Sequence, residues 1–174
     1  MVKAVFPGTF DPIHYGHIDI AERAARLFSE VVVAVYDKPL KKILFPPEQR
    51  IELVKECLSS TPNISVMGYS GLTVDLCRKI DAQVIVRGLR VFSDFEYEFR
   101  MALANHRLDP DIEVVALITN QDHTFLSGST VREIGSLGGD VSSFVPQVVE
   151  EALQARFQEL GADQSVVPET SLRD

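Results

Sequence analysis

"VKAVFPGTFDPIHYGHIDIAERAARLFSEVVVAVY", residues 2–36, contains one full unit of the pattern that organises the whole chain. Residues 2–6 form an apolar run that reads as a strand. Residues 17–28 place Ile18, Ala21, Ala25 and Phe28 near one face of a helix. Residues 31–36 are β-branched with little alternation, the mark of a strand buried on both faces, as in a parallel sheet. The first strand and the helix are joined by "PGTFDPIHYGH", residues 7–17, with two prolines, two glycines and two histidines. A plain connection needs only a few turn residues. This one is built to hold something.

The same unit repeats downstream. Apolar runs at 64–69, 82–88 and 112–118 read as three more strands. Helical patterns lie around them: "PPEQRIELVKECL", whose prolines and early glutamate suit a first helical turn; "TVDLCRKI", with Thr73 as a candidate cap; "DFEYEFRMALANHRL"; and "PQVVEEALQARFQEL". This alternation predicts an α/β fold, a doubly wound five-stranded parallel sheet of Rossmann-like form with right-handed crossovers. No repeat or linker divides the chain. One domain is expected over 1–160, followed by a polar tail over 161–174 that loses periodicity and is expected to be mobile. In such folds ligands bind beyond the carboxyl ends of the strands, near the point where strand order reverses. The suspicious loops all follow strands.

Composition narrows the function. Across 174 residues 45% are apolar and 24% charged, an ordinary soluble mixture. No run approaches a membrane span, and the opening residues read as the first strand rather than a signal peptide. A cytoplasmic protein is therefore expected. Seventeen basic residues against 25 acidic ones give a net charge of −8. That disfavours a nucleic-acid binder relying on broad phosphate attraction, so phosphate binding must come from a few concentrated cations. Cys57 and Cys77 sit in apolar helical patterns without CxxC spacing and read as buried thiols, with a disulfide or metal pair as the weaker alternative. No cluster has metal-cage spacing; magnesium would arrive with a nucleotide's phosphates.

The loops hold the chemistry. His14-Tyr15-Gly16-His17 is an H-x-G-H pattern, with a glycine suited to close approach of backbone and ligand. His17 falls in a first helical turn, where unpaired N–H groups favour an anion and a histidine donor stabilises charge growing on a phosphoryl oxygen. Arg87 and Arg90 leave the fourth strand around Gly88, and their forks suit phosphate oxygens. Pairing with Asp94, Glu96 and Glu98 is the structural alternative. Lys38, Lys41 and Lys42 follow the second strand, where a lysine run is usually a solvated face. Ser127, Gly128 and Ser129 open a helix after the fifth strand, and Thr130 with Glu133 reads as its capping box. His106 reads as a helix-surface residue, and His123 as a loop residue at the edge of a ligand. Phe92, Phe95, Tyr97 and Phe99 read as packing or subunit contact.

Four blocks, "PGTFDPIHYGHIDI", "KKILFPPEQRIELV", "VIVRGLRVFSDFEYEF" and "TFLSGSTVREI", resemble the bacterial phosphopantetheine adenylyltransferases of the H-x-G-H nucleotidyltransferase superfamily. The resemblance covers residues 1 to roughly 158, and the R-G-L-R…D-F-E-Y-E block is its most specific part. It implies transfer of AMP from ATP to 4′-phosphopantetheine, giving dephospho-coenzyme A and pyrophosphate. The substrate phosphate would attack the α-phosphorus in line, with no general base. It implies that His17, Lys41 and Arg90 serve catalysis, His17 stabilising the transition state. Thr9, Lys41, Thr73 and Arg87 would hold phosphopantetheine; the resemblance is what selects Lys41 from its run. Around ATP it places Thr9, Phe10, His17, Gly88, Leu89, Arg90 and Glu98. It adds the segment His123, Thr124, Phe125, Leu126, Ser127, Gly128 and Ser129. Magnesium carried with ATP, a homohexamer and feedback by coenzyme A are implied as well, with no nucleic-acid or membrane partner. The chain departs from the family's common residues at His14, where threonine is frequent, at Gly128 (serine), at Arg132 (lysine) and at His123 (an aromatic). Transfer to another phosphate ester and a nucleotide sensor without turnover are the competing readings; the R-G-L-R residues weigh against the first and the full cation set against the second.

Overall fold

A computed structural model describes residues 2–39 and 42–161. The five strands are β1 (Lys3–Gly8), β2 (Glu30–Tyr36), β3 (Ile64–Tyr69), β4 (Val84–Leu89) and β5 (Glu113–Ile118). They form one sheet in the order β3-β2-β1-β4-β5, every pair parallel. The helices are α1 (Tyr15–Leu27), α2 (Pro47–Cys57), α3 (Thr73–Ile80), α4 (Phe92–Leu108), α5 (Gly128–Ser136) and α6 (Gln147–Leu160). The doubly wound expectation is met. Each strand run lies within two residues of its expected bounds, and β1 continues through Pro7 and Gly8 because its register with β2 persists to Gly8 opposite Val35.

The strands lack alternation because both faces of the sheet are covered. Odd and even residues of the same strand enter different cores. Ala4, Phe6, Val31, Val33, Val35, Val84 and Val86 join one, packed by Ile20, Ala21 and Ala24 of α1, Leu53 and Val54 of α2, and Val149 and Leu153 of α6. Val5, Val32, Ala34 and Ile85 join the other with Val74, Leu76 and Cys77 of α3. The buried stripe of α1 centres on Ile20, Ala21 and Ala24, with Ile18, Ala25 and Phe28 at its edges.

Two expected caps are corrected. Thr73 is the first residue of α3, not its cap, which is Leu72; its hydroxyl bonds Tyr69 Oη at 3.0 Å. The cap of α5 is Ser127, whose Oγ accepts from the Thr130 amide at 3.1 Å, so Thr130 sits one turn inside a helix it was expected to open. Pro47 at the first position of α2, with Glu48 beside it, is as expected. Cys57 and Cys77 are free thiols, and burial raises the pKa of each to about 11. No described helix is long and apolar enough to cross a membrane.

Candidate active site

Strand order reverses between β1 and β4, and a cavity of about 480 Å³ opens beyond their carboxyl ends. Of the expected site residues it is lined by Thr9, Phe10, His17, Arg87, Gly88, Arg90, Glu98, Ser127, Gly128 and Ser129. They reach it because β1, β4 and β5 are parallel, so their exit loops and the helices that follow emerge at one end of the sheet.

His17 lies in the first turn of α1 and accepts the His14 amide at Nδ1, 3.3 Å away. A neutral ring accepting at Nδ1 carries its proton on Nε2, which makes that nitrogen the donor. The His14 ring stacks on it with centroids 3.6 Å apart, and Phe10 meets it edge-on at 4.9 Å. Phe10 itself is buried at a left-handed φ of 50°, a conformation that costs about 1–2 kcal/mol for a residue with a Cβ. Gly16 has a second role besides close approach: a Cβ there would lie 3.1 Å from the His14 ring.

His14 is 3% exposed. Burial first, and then the positive charges of Arg90 and His123, lower its pKa from 6.5 to about 3. Between these values the unfolded chain binds a proton that the folded chain refuses. Stability therefore falls as pH falls from about 6.5 towards 3 and is level above 6.5, with a slope of up to about 1.4 kcal/mol per unit. Urea unfolding at pH 7 and pH 5 should show wild type losing about 2 kcal/mol more than His14→Thr. An equal loss in both would contradict this account of His14.

The two arginines are held in the same manner. Arg87 donates from Nε and Nη2 to Glu98 at 2.7 and 2.6 Å, and from Nη1 to the Pro7 carbonyl at 3.0 Å. Arg90 donates from Nε and Nη2 to Asp94 at 3.0 and 3.2 Å, and from Nη1 to the Leu126 carbonyl at 2.7 Å. Asp94 and Glu98 stand four residues apart on one face of α4, which explains why a single helix aligns both forks. Each guanidinium has five N–H groups, so each keeps two beyond these bonds to the described residues. Burial opposes the charge on Arg87, but the Glu98 bonds outweigh it and hold its pKa above the usual value. Burial likewise pushes Asp94 up, and the Arg90 bonds bring it below the usual carboxylate range. Pairing with carboxylates and facing the cavity are thus compatible readings of these arginines.

At the start of α5 the Ser127 hydroxyl serves as the cap and also meets Ser129 Oγ at 2.9 Å and Thr130 Oγ1 at 2.8 Å. The amides of Gly128 and Ser129, in the first turn, keep the helix's anion-binding character. Other expected residues lie elsewhere. The Leu126 side chain is in the core while its carbonyl serves Arg90. Leu89 faces a second, apolar hollow with Phe92 and Phe95. His123 stacks on Tyr15 at 6.3 Å, Thr124 Oγ1 donates to the Gln121 carbonyl, and exposed Phe125 meets Phe144. Thr73 is outside the cavity lining, and Lys41 lies outside the described residues.

Three buried polar residues support the site; of these the sequence marks only Arg132, as a departure from the family's lysine, and not Asp11 or Arg50. Asp11 accepts the Leu44 and Phe45 amides at 2.8 and 2.9 Å and faces Arg132. Arg132 is 3% exposed, with Nη1 on the Asp11 carbonyl and, at 3.2 Å, on its carboxylate. Arg50, fully buried, donates to the carbonyls of Thr9, Tyr36 and Phe45. A signal for Arg50 existed: it continues the buried stripe of Leu53 and Val54 at helical spacing, a place where an unpaired charge does not belong.

The family model of the cytidylyltransferase-like proteins matches residues 5–134, the span that holds all the cavity's elements. A phosphopantetheine adenylyltransferase of Roseiflexus sp. (strain RS-1) is 50% identical over 157 residues, 90% of this chain and 98% of that one. One from Heliobacterium modesticaldum is 52% identical over 90% of this chain and 94% of its own. The chain belongs to the phosphopantetheine adenylyltransferase family. Within that family it is a nucleotidyltransferase, and the site above is where the family's chemistry has to be sought. In fold it also resembles a Vibrio parahaemolyticus protein described as a nicotinate-nucleotide adenylyltransferase, with a TM-score of 0.67 at 21% identity, covering 88% of this chain and 99% of that one.

Proposed function

We propose that this chain transfers the adenylyl group of ATP to 4′-phosphopantetheine, releasing pyrophosphate and forming dephospho-coenzyme A. The observation that carries the reading is the convergence of His17, Arg87 and Arg90 on one cavity at the sheet's switch point. The acceptor phosphate is already ionised at neutral pH, so catalysis reduces to positioning and electrostatics. Its oxygen attacks the α-phosphorus, the bond to the β-phosphate oxygen breaks, and pyrophosphate leaves with the electron pair. His17 donates from Nε2 to the charge that builds on the α-phosphoryl oxygens. Arg90 and the first turn of α5 take the leaving phosphates, while Arg87, Thr9 and Lys41 orient the attacking one.

Magnesium fits as a passenger on the phosphates. The three carboxylates lining the cavity, Asp11, Asp94 and Glu98, each face an arginine. Such a set has little to offer a resident cation; the ion would keep the nucleotide's oxygens and water as ligands and neutralise part of their charge. Coenzyme A shares the pantetheine arm and would compete at the same cavity. A cytoplasmic location agrees with the substrates.

We read the chain as a homohexamer. Phe92, Phe95, Tyr97, Phe99 and Leu103 of α4 are all about half exposed or more, and the Phe92, Phe95 and Phe99 rings stack in sequence at 6.2 and 5.7 Å. So large an apolar face calls for a partner. Light scattering should give the mass of six chains, and Phe99→Glu should shift it to smaller species.

Pyrophosphate release from ATP and magnesium, with and without phosphopantetheine, tests the reaction. Release that requires the acceptor supports it, and a wild-type chain that binds ATP without acceptor-dependent release rejects it. The division of labour is tested by Arg87→Ala. Its KM for phosphopantetheine should rise about tenfold or more while that for ATP stays within about threefold. A selective loss on the ATP side would reverse the assignment.

A further inference from the structure

The Arg132 guanidinium has a place that stability alone does not explain. It lines the cavity, yet its Nε is buried with no hydrogen-bond partner among the described residues. An unsatisfied charged donor is costly, and it sits one helical turn beyond Gly128 and Ser129. From the other side of the same guanidinium, Nη1 grips Asp11 at both its carbonyl and its carboxylate.

Asp11 passes this contact onward. Its two carboxylate oxygens take the amides of Leu44 and Phe45, both buried. The carbonyls of the same two residues are fixed from elsewhere, by Arg156 Nε at 3.0 Å and Arg50 Nε at 3.1 Å. Asp11 also stands two residues after Thr9, whose carbonyl Arg50 holds. One guanidinium therefore lies beside Gly128 at the start of α5 and, through Asp11, reaches the connection between β2 and α2. Gly128 leaves room for the arrangement. A Cβ there would lie 3.0 Å from the Asp11 carbonyl oxygen and 3.5 Å from Arg132 Nη1.

We infer that Arg132 is a positioning residue that couples phosphate binding at the start of α5 to the Leu44–Phe45 segment, three residues beyond Lys41, which the proposed reaction assigns to the acceptor phosphate. A phosphate at α5 supplies the acceptor that Nε lacks. The guanidinium is then held at both ends, Asp11 is fixed, and the two amides bound to it are held more firmly. This makes the order of the acceptor side depend on the nucleotide through the protein, separately from the direct meeting of the two ligands. The inference rests on the adenylyl-transfer reading for the identity of the ligands, though not for the network.

Hydrogen exchange at the Leu44 and Phe45 amides tests it, with magnesium and α,β-methylene-ATP as the probe. In wild type the analogue should slow exchange at both amides by about tenfold, within the usual range of coupling between sites. Arg132→Lys keeps a charge but loses the fork; the analogue should still bind, and the slowing should disappear. In turnover the same variant should raise KM for phosphopantetheine about tenfold while KM for ATP rises less than about threefold. Gly128→Ser, which crowds the Asp11 contact, should reproduce the defect. Adding Arg132→Lys to it should cost less than the separate effects multiplied, because both act on one contact.

If the analogue leaves wild-type exchange at Leu44 and Phe45 unchanged, or slows it equally in Arg132→Lys, the coupling is overturned. It is also overturned if Arg132→Lys weakens only the nucleotide. A failure of the proposed reaction appears separately, as wild-type chain that shows the exchange effect yet releases no pyrophosphate with phosphopantetheine.

Discussion

His17→Ala should lower kcat by about 10²–10³-fold while the affinity for ATP changes by less than about threefold. The reasoning starts from the ring's fixed state. With Nδ1 turned to the His14 amide, Nε2 is the donor, and stacking on His14 with the Phe10 edge against it restricts rotation. A donor fixed before the reaction needs no reorganisation when charge builds on the phosphoryl group, and that is why its loss falls on kcat. In the proposed reaction ground-state binding of ATP relies on Arg90 and the first turn of α5, which the substitution leaves alone. The check is steady-state kinetics with a separate equilibrium measurement of ATP binding. If ATP affinity drops in step with turnover, His17 is a binding group and the donor role is wrong. If turnover survives in a folded variant, the role is wrong altogether.

The features that could be read in advance are those carried by local periodicity. Unbroken β-branched runs declare a strand covered on both faces, so the parallel sheet and its order of elements are legible, and with them the end of the sheet where ligands bind. The exit loops declare themselves by composition. Partnerships are a different matter. Arg87 with Glu98, eleven residues away, is within reach of the sequence as one of several candidate pairs, but Arg132 finds Asp11 across 121 residues, a distance at which the sequence carries no pattern for a single chain. Caps fail for a subtler reason. Thr130 with Glu133 and Ser127 with Thr130 are both reasonable starts for α5, and tertiary placement of the helix decides between them. His14 shows the limit most clearly. A histidine in a loop can be solvated, packed or catalytic, and only burial decides for His14, making it a neutral ring that stacks on its neighbour.

The second large effect falls on stability. Arg50→Met should destabilise the fold by about 4 kcal/mol. A buried arginine is often replaceable by an apolar residue when its carboxylate partner is removed too, since both desolvation costs then vanish. That escape is closed here, because its partners are main-chain carbonyls. The Thr9 and Tyr36 oxygens accept at 2.7 and 2.8 Å and the Phe45 oxygen at 3.1 Å. No substitution deletes a carbonyl, so methionine fills the space and strands these three acceptors together with the Asp37 carbonyl oxygen, which accepts at 3.4 Å, at roughly 1–3 kcal/mol each before relaxation. Burial lowers the Arg50 pKa, and the negative charges of Asp11, Asp37 and Glu48 oppose that shift, so the cation is steadied by its surroundings. Thermal unfolding should register the change as a Tm lower by about 8–16 °C for a domain of this size. Arg50→Lys should fall between, since one ammonium cannot span carbonyls from the loop after β1, from β2 and from the segment before α2. A Tm within about 2 °C of wild type for Arg50→Met would mean that water satisfies these carbonyls, and that the exit loops of β1 and β2 hold their places without the guanidinium between them.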